Sequence, residues 1–349
     1  MAASKKEMTS LERVSTALRP GIPDAVPVFL ESSTLGAREV GLSLPEYYRR
    51  AENVAEGQLR FAERFGSDSV SSFFYAGRDA EAFGAEVIFR ESGPPNMGTP
   101  IISDLAAIDS LEAPDPARAT PLQEVLRCTR ILADRSRGRW PVVGQIIGPL
   151  SLPILLMGLG PWMELVLFGD RARRNRLIRV TSKFCVAWAN ALLAAGVDII
   201  ALDEPMASSA MLTREQAVRL VLPIVQRVVR RIQGQVIYWS IGPIQQVADL
   251  IPDTGVRALS TDPKDDLRGV KRLVSGRIAV IGGLNDLAML TWTRAEAEAA
   301  VREAIGSAAS GGGFILSNQN DIPFSVEDEM LLAVAEAARK WGQYRNDAP

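Results

Sequence analysis

A chain of 349 residues, 47 % hydrophobic and 23 % charged, can bury a sizeable core, and its length fits one large α/β domain or two ordinary ones. With 39 basic against 41 acidic residues the net charge is −2, which argues against a phosphate-tracking surface and so against nucleic acid as a partner. Histidine is absent, so no imidazole is on hand to bind a metal or titrate near neutrality, and acid–base work falls to carboxyl, phenol, amine or thiol groups or to water.

The opening stretch MAASKKEMTSLERV has two lysines but no apolar core, unlike a signal peptide. Thr9 and Glu12 have the spacing of a capping box that starts a first helix. β-prone runs then recur at 25–30, 67–74, 141–146, 197–202, 235–240, 256–261, 277–282 and 313–317, each parted from the next by helical pattern. Thr213 with Gln216, Thr293 with Glu296 and Ser325 with Asp328 mark further helix starts. The segment 75–140 is long for one βα unit, and AEVIFRESGPPNMGTPI within it predicts a hairpin excursion. Residues 142–169 are nearly free of charge and long enough to span a bilayer, but Pro149, Pro153, Gly158, Gly160 and Pro161 interrupt them. They read as a buried strand, an irregular loop and an amphipathic helix, and no membrane is expected. Cys128 and Cys185 fall in helical patterns outside any Cys-x-x-Cys spacing, which predicts buried structural thiols and a reducing cytoplasm.

Eight β/α units predict an α/β fold, a (β/α)8 TIM barrel formed by a single domain over 1–349 with an excursion around 75–140. A doubly wound sheet is the runner-up, without the Gly-x-Gly-x-x-Gly turn it would carry. In a barrel the active site lies at the C-terminal strand ends. These are Glu31; Phe74 and Tyr75; Gln145; Asp203 and Glu204; Trp239 and Ser240; Ser260 and Asp262; Gly282 to Asn285; and Asn318, Gln319 and Asn320. The rim is acidic, amide-rich and aromatic, with no basic cluster for a polyanion. Asp203 and Glu204 read either as an acid pair, one held protonated by burial and its neighbour, or as a helix cap beside a solvated carboxylate. Tyr238 and Trp239 read as a wall for a flat ligand or as core. Asn318 and Asn320 read as ligand contacts or as partners of loop backbone.

The segments RPGIPDAVPVF, LPEYYRRAENVAEGQLRFAERFGSDSV, EAFGAEVIF, GPLSLPILLMG, AGVDIIALDEPMAS, LTREQAVRLVLPIVQRVV, QVIYWSIG, IGGLND and GGGFILSNQNDIP are similar, in this order, to the uroporphyrinogen decarboxylase superfamily. They most resemble its corrinoid-dependent methyltransferase branch, which includes the methylcobamide:coenzyme M methyltransferases. The resemblance covers nearly the whole chain and implies one (β/α)8 barrel with its pocket at the mouth. That branch binds zinc through a His-x-Cys-Gly after the fifth strand and a Cys after the eighth. Here Trp239-Ser240-Ile241-Gly242 and Asn320 stand in those places, so no zinc is expected. The decarboxylase branch has an Arg-Gln-Ala-Gly-Arg where this chain has Glu31-Ser32-Ser33-Thr34, and its catalytic Asp falls on Tyr75, although a porphyrinogen needs arginines.

The resemblance, less its zinc, implies transfer of a methyl group between a small substrate and a corrinoid (cobalamin) carried by a partner protein. The substrate expected is an aryl methyl ether, undergoing O-demethylation, with a quaternary amine kept open. Glu204 is the expected acid for the leaving group and Asp203 its neighbour. Phe74, Tyr75 and Trp239 are expected to stack a ring, Gln145, Asn285, Asn318 and Asn320 to hold its substituents, and Glu31 to suit a cation. The alternatives are a decarboxylase acting on a smaller substrate and a non-catalytic ligand-binding relative. A homodimer is allowed for.

Overall fold

Strands apolar at nearly every position must be covered on both faces, and a parallel sheet wrapped by helices does this. In the computed structural model, which describes residues 7–344 apart from Ser92 and Ser275, each of the eight β-prone runs contributes one strand to such a sheet. The first and last residues of the expected domain, 1–6 and 345–349, lie outside the described residues. The strands are β1 (Val28–Phe29), β2 (Val70–Ser71), β5 (Val142–Ile147), β6 (Ile199–Asp203), β7 (Gln235–Trp239), β8 (Ala258–Ser260), β9 (Ala279–Leu284) and β10 (Phe314–Asn318). Their order is β1-β10-β9-β8-β7-β6-β5-β2, all parallel, the curled sheet of a TIM barrel. The hairpin expected in the excursion is β3 (Val87–Ile88) against β4 (Asn96–Met97).

The two-residue repeat of a strand sorts the side chains. Phe29, Val143, Ile199, Ala201, Ile237, Ala258, Ala279, Ile281 and Ile315 fill the inside of the barrel. Their neighbours Val28, Val142, Ile200, Leu202, Tyr238, Val280 and Leu316 pack under the surrounding helices. The helix Ser10–Ala17 closes the N-terminal end, placing Val14, Ala17 and Leu18 in the inner cluster.

The two ends of the sheet, β1 and β2, meet through one backbone bond and two side chains. The Asp68 N–H donates to the Val28 carbonyl at 2.6 Å, and its Oδ2 accepts the Val28 N–H at 2.9 Å, while the Leu30 N–H reaches Ser67 Oγ at 3.3 Å. Arg13, on the closing helix, holds the other oxygen of Asp68 at 2.7 Å.

Three of the four expected capping boxes form, at Thr9, Thr213 and Thr293. The fourth does not. The last helix begins at Asp328 behind Glu327, and the Asp328 carboxylate is taken by Arg38 and Arg64. A box at Ser43 and Glu46, absent from the sequence reading, opens a short helix instead. Residues 142–169 divide into β5 and the helices Leu152–Met157 and Leu159–Leu167, so the expected irregular loop is largely helical. The long pattern after Thr213 is parted near Val221, because Pro223 has no N–H to continue the ladder. Gly282 and Gly283 have φ of 140° and 102°, and a Cβ there would stand 2.3 Å from Thr261 Oγ1 and 2.6 Å from Ala304 Cβ respectively. Only glycine lets β9 lie this close to its neighbours.

Candidate functional site

Counting by twos up each strand places Asp203 inward, above Ala201, and turns Glu204 outward. The inner top of the barrel is thus built from Asp203 on β6, Gln145 on β5, Ser71 on β2, Trp239 on β7 and Glu31 just past β1. All five are buried. Ser71 Oγ donates to both Glu31 oxygens, at 3.2 and 3.0 Å, and the Gln145 amide is the carboxyl's other hydrogen-bond partner. The Trp239 indole N–H donates to the Gln319 carbonyl at 2.8 Å, which fixes the ring.

Two acceptors in this group have no partner. Asp203 Oδ1 and Gln145 Oε1 are buried and unpaired. Burial raises Glu31 to about 7, and the charge of Asp321 pushes the same way against the bonds from Ser71 and Gln145. Asp203 is raised well above the carboxylate range, by burial first and then by the charges of Glu31, Asp79 and Glu204. Burial and the neighbouring carboxylates thus favour the protonated form of the carboxyl facing the inside.

Glu204, expected as the acid, is placed elsewhere. It is fully enclosed, and both oxygens are engaged: Oε2 accepts the Leu150 N–H at 2.9 Å, and Oε1 accepts Ser151 Oγ at 2.5 Å and the Met206 N–H at 3.3 Å. It pins the loop after β5 to the end of β6. Burial lifts it to about 7, with those hydrogen bonds opposing.

The other expected contacts divide. Asn318 points outward and grips the Glu31 backbone, its Oδ1 accepting the N–H and its Nδ2 donating to the carbonyl, both at 2.9 Å. It positions Glu31. Asn320 donates to Gln319 Oε1 at 3.3 Å and bonds Asp286. Asn285 is exposed, and its side chain caps the turn at Ala288. Phe74 packs outward on the helix-facing core. Tyr75 is buried, its hydroxyl donating to Glu81 at 2.6 Å.

Sequence reasoning missed Ser71 and Phe73, although the alternation from outward-facing Val70 puts Ser71 inside. It also missed Tyr48 and Phe89, which join Phe73 and Tyr75 in one aromatic group with centroids 5.2–6.3 Å apart. Arg78 lies over Phe73 and Tyr75 at 4.6 and 4.5 Å and pairs with Glu81 at 3.4 Å. Asp321 holds the loop after β1 through Ser33, accepting its N–H at 2.7 Å and its hydroxyl.

The zinc positions of the related branch hold no suitable donors. The Trp239 nitrogen donates its proton to a carbonyl, Ile241 is aliphatic and half exposed, and Asn320 donates to Gln319. Among the described residues no three of His, Cys, Asp or Glu stand together to hold a metal. A cleft of about 320 Å³ between Ile102 and Leu165 lies on the flank and shares no residue with the inner group.

Four buried acids are lifted by desolvation: Glu31, Asp79 and Glu204 to about 7 and Asp321 to about 6. Between pH 4 and these values the unfolded chain releases protons that the folded chain keeps, so stability falls as pH rises through that window. Thermal melts at pH 5, 6, 7 and 8 should show a declining Tm, with a shallower decline in Glu31→Gln. A Tm that climbs from pH 5 to 8 would contradict this assignment.

The family model described as "Uroporphyrinogen decarboxylase (URO-D)" matches residues 9–341. The chain is 25 % identical to the uroporphyrinogen decarboxylase of Thioalkalivibrio sulfidiphilus, covering 95 % of this chain and 98 % of that one. It is 26 % identical to the methylcobamide:CoM methyltransferase MtbA of Methanosarcina mazei, over 86 % of this chain and 89 % of that one. A solved methyltransferase from Methanosarcina mazei shares the fold, with a TM-score of 0.86, 21 % identity and coverage of 96 % and 99 %.

Proposed function

The chain belongs to the uroporphyrinogen decarboxylase family, and we propose that it moves a methyl group between a small-molecule substrate and a corrinoid carried by a partner protein. The likeness to methylcobamide:CoM methyltransferases favours this chemistry. The observation that carries it is Asp203 Oδ1, buried and unpartnered at the inner top of the barrel beside Glu31. The substrate is an aryl methyl ether, and Asp203 takes the role expected of Glu204.

A reduced corrinoid, when docked, supplies the nucleophile for the methyl carbon. The protein's task is the leaving oxygen. As the C–O bond breaks, its electron pair stays on oxygen, and the neutral Asp203 carboxyl passes its proton there, releasing a phenol. The Glu31 carboxyl keeps the proton on Asp203 beforehand, since two adjoining buried carboxylates repel each other. Trp239, in the inner cluster with its ring fixed by Gln319, is the aromatic side chain offered to a flat ring.

The test is to incubate the protein with chemically reduced cobalamin, free or on a corrinoid protein, and a panel of methoxyarenes and methylated amines. Phenol release together with the spectrum of methylated cobalt is expected. No product from any ether or amine would sink the proposal, and carbon dioxide release without corrinoid would point to a decarboxylase.

A further inference from the structure

We infer that Gln145 selects methyl donors carrying a hydroxyl or N–H group beside the methoxy group. This rests on the reading of the inner barrel top as the substrate site. The site has more acceptors than donors. Glu31 and Asp203 bring four carboxyl oxygens and Gln145 one amide oxygen. The donors Ser71 Oγ and Gln145 Nε2 are both directed at Glu31. The Trp239 N–H is taken by the Gln319 carbonyl, and Gln319 Nε2 by the Ser240 carbonyl at 3.1 Å. Arg78 engages Glu81 and the Pro121 carbonyl through one terminal nitrogen, and its Nε, also without a partner, lies in the aromatic group over Phe73 and Tyr75.

The orientation of Gln145 follows from its neighbour. With Nε2 turned to the Glu31 carboxyl, Oε1 faces away, buried and without a donor. Such an atom costs stability unless something meets it. Gln145 pairs across the sheet with Ala201, one inward step below Asp203. The two orphan oxygens therefore sit on neighbouring strands, one rung apart. An arene with adjacent methoxy and hydroxyl groups meets both: its ether oxygen accepts from neutral Asp203, and its hydroxyl donates to Gln145 Oε1. A plain ether leaves the amide oxygen unpaired, and buried polar groups left that way discriminate strongly.

Calorimetric titration of the protein alone, without corrinoid, with 2-methoxyphenol, methoxybenzene and 1,2-dimethoxybenzene tests this. 2-Methoxyphenol should bind at least tenfold more tightly than the other two (on the order of 10–100-fold, the cost of one unmet buried acceptor), and Gln145→Met should bring all three to about the same affinity. Ser71→Ala, which also takes a hydrogen bond from Glu31, should keep the preference. Equal affinities in the natural protein, no binding of 2-methoxyphenol, or a preference surviving in Gln145→Met would each overturn the inference. If the preference is found but no methyl moves to reduced corrinoid, the proposed reaction fails and the selectivity stands. If methoxybenzene is demethylated as well as 2-methoxyphenol, the reaction stands and the selectivity fails.

Discussion

Asp203→Asn lowers kcat for ether demethylation by about a thousandfold, within the range for losing a general acid (~10²–10⁴-fold), and leaves the protein folded. Asparagine matches aspartic acid in shape but has no proton to give, so a phenolate must depart unassisted. The melting temperature should hold, because the amide replaces a carboxyl whose protonated form burial already favours. In the natural protein activity should fall as pH rises and Asp203 ionises, since burial raises its pKa above the carboxylate range. Donors with good leaving groups should be less affected than donors of basic phenols. Single-turnover kinetics on phenol release would read all of this, and full activity in Asp203→Asn would remove the residue from the mechanism.

Glu204→Ala acts on the fold. It strands the Leu150 and Met206 N–H groups and the Ser151 hydroxyl in a fully enclosed place, with a cost of about 3 kcal/mol or more for several unmet buried groups. The loss should appear as a lowered denaturant midpoint. Glu204→Gln, which keeps an acceptor at the site, should recover part of that stability and most of the activity. The opposite pattern, normal stability with activity gone in Glu204→Gln, would return the acid role to Glu204. The two substitutions at adjacent positions thus separate chemistry from scaffolding.

The barrel was legible in the sequence because each strand is apolar throughout and each is followed by helical pattern. That period survives short local irregularities. The site was legible only by address. Strand ends pointed to Glu31, Gln145, Asp203 and Trp239, and these do converge inside the barrel. What failed was the facing of neighbours: Asp203 and Glu204 look like a pair in sequence, yet a strand sends successive side chains to opposite sides. The same alternation separates Ser71, which faces the site, from Val70, which packs under the helices. For Asn318 the sequence left two readings open, and the partner of loop backbone is the one the geometry matches. Its amide matches the peptide group of Glu31, 287 positions away, and such a partner has no local signature. The Tyr48 contribution to the aromatic group depends on tertiary packing in the same way.

The clasp between β1 and β2 gives the cylinder a preferred place to open. Seven strand junctions are laced by backbone ladders. The eighth has one backbone bond, from Asp68 to Val28, and is otherwise held by the side chains of Asp68 and Ser67, the first of which Arg13 also tethers to the basal helix. Glu31 is three residues beyond Val28 along the same edge. Thermal breathing would therefore part the staves beside Glu31 and leave the β5–β6–β7 wall, with Asp203 and Trp239, in register. Amide exchange fastest at Val28 and Leu30 would be the mark of such a hoop, rigid round most of its rim and yielding at its one buckle.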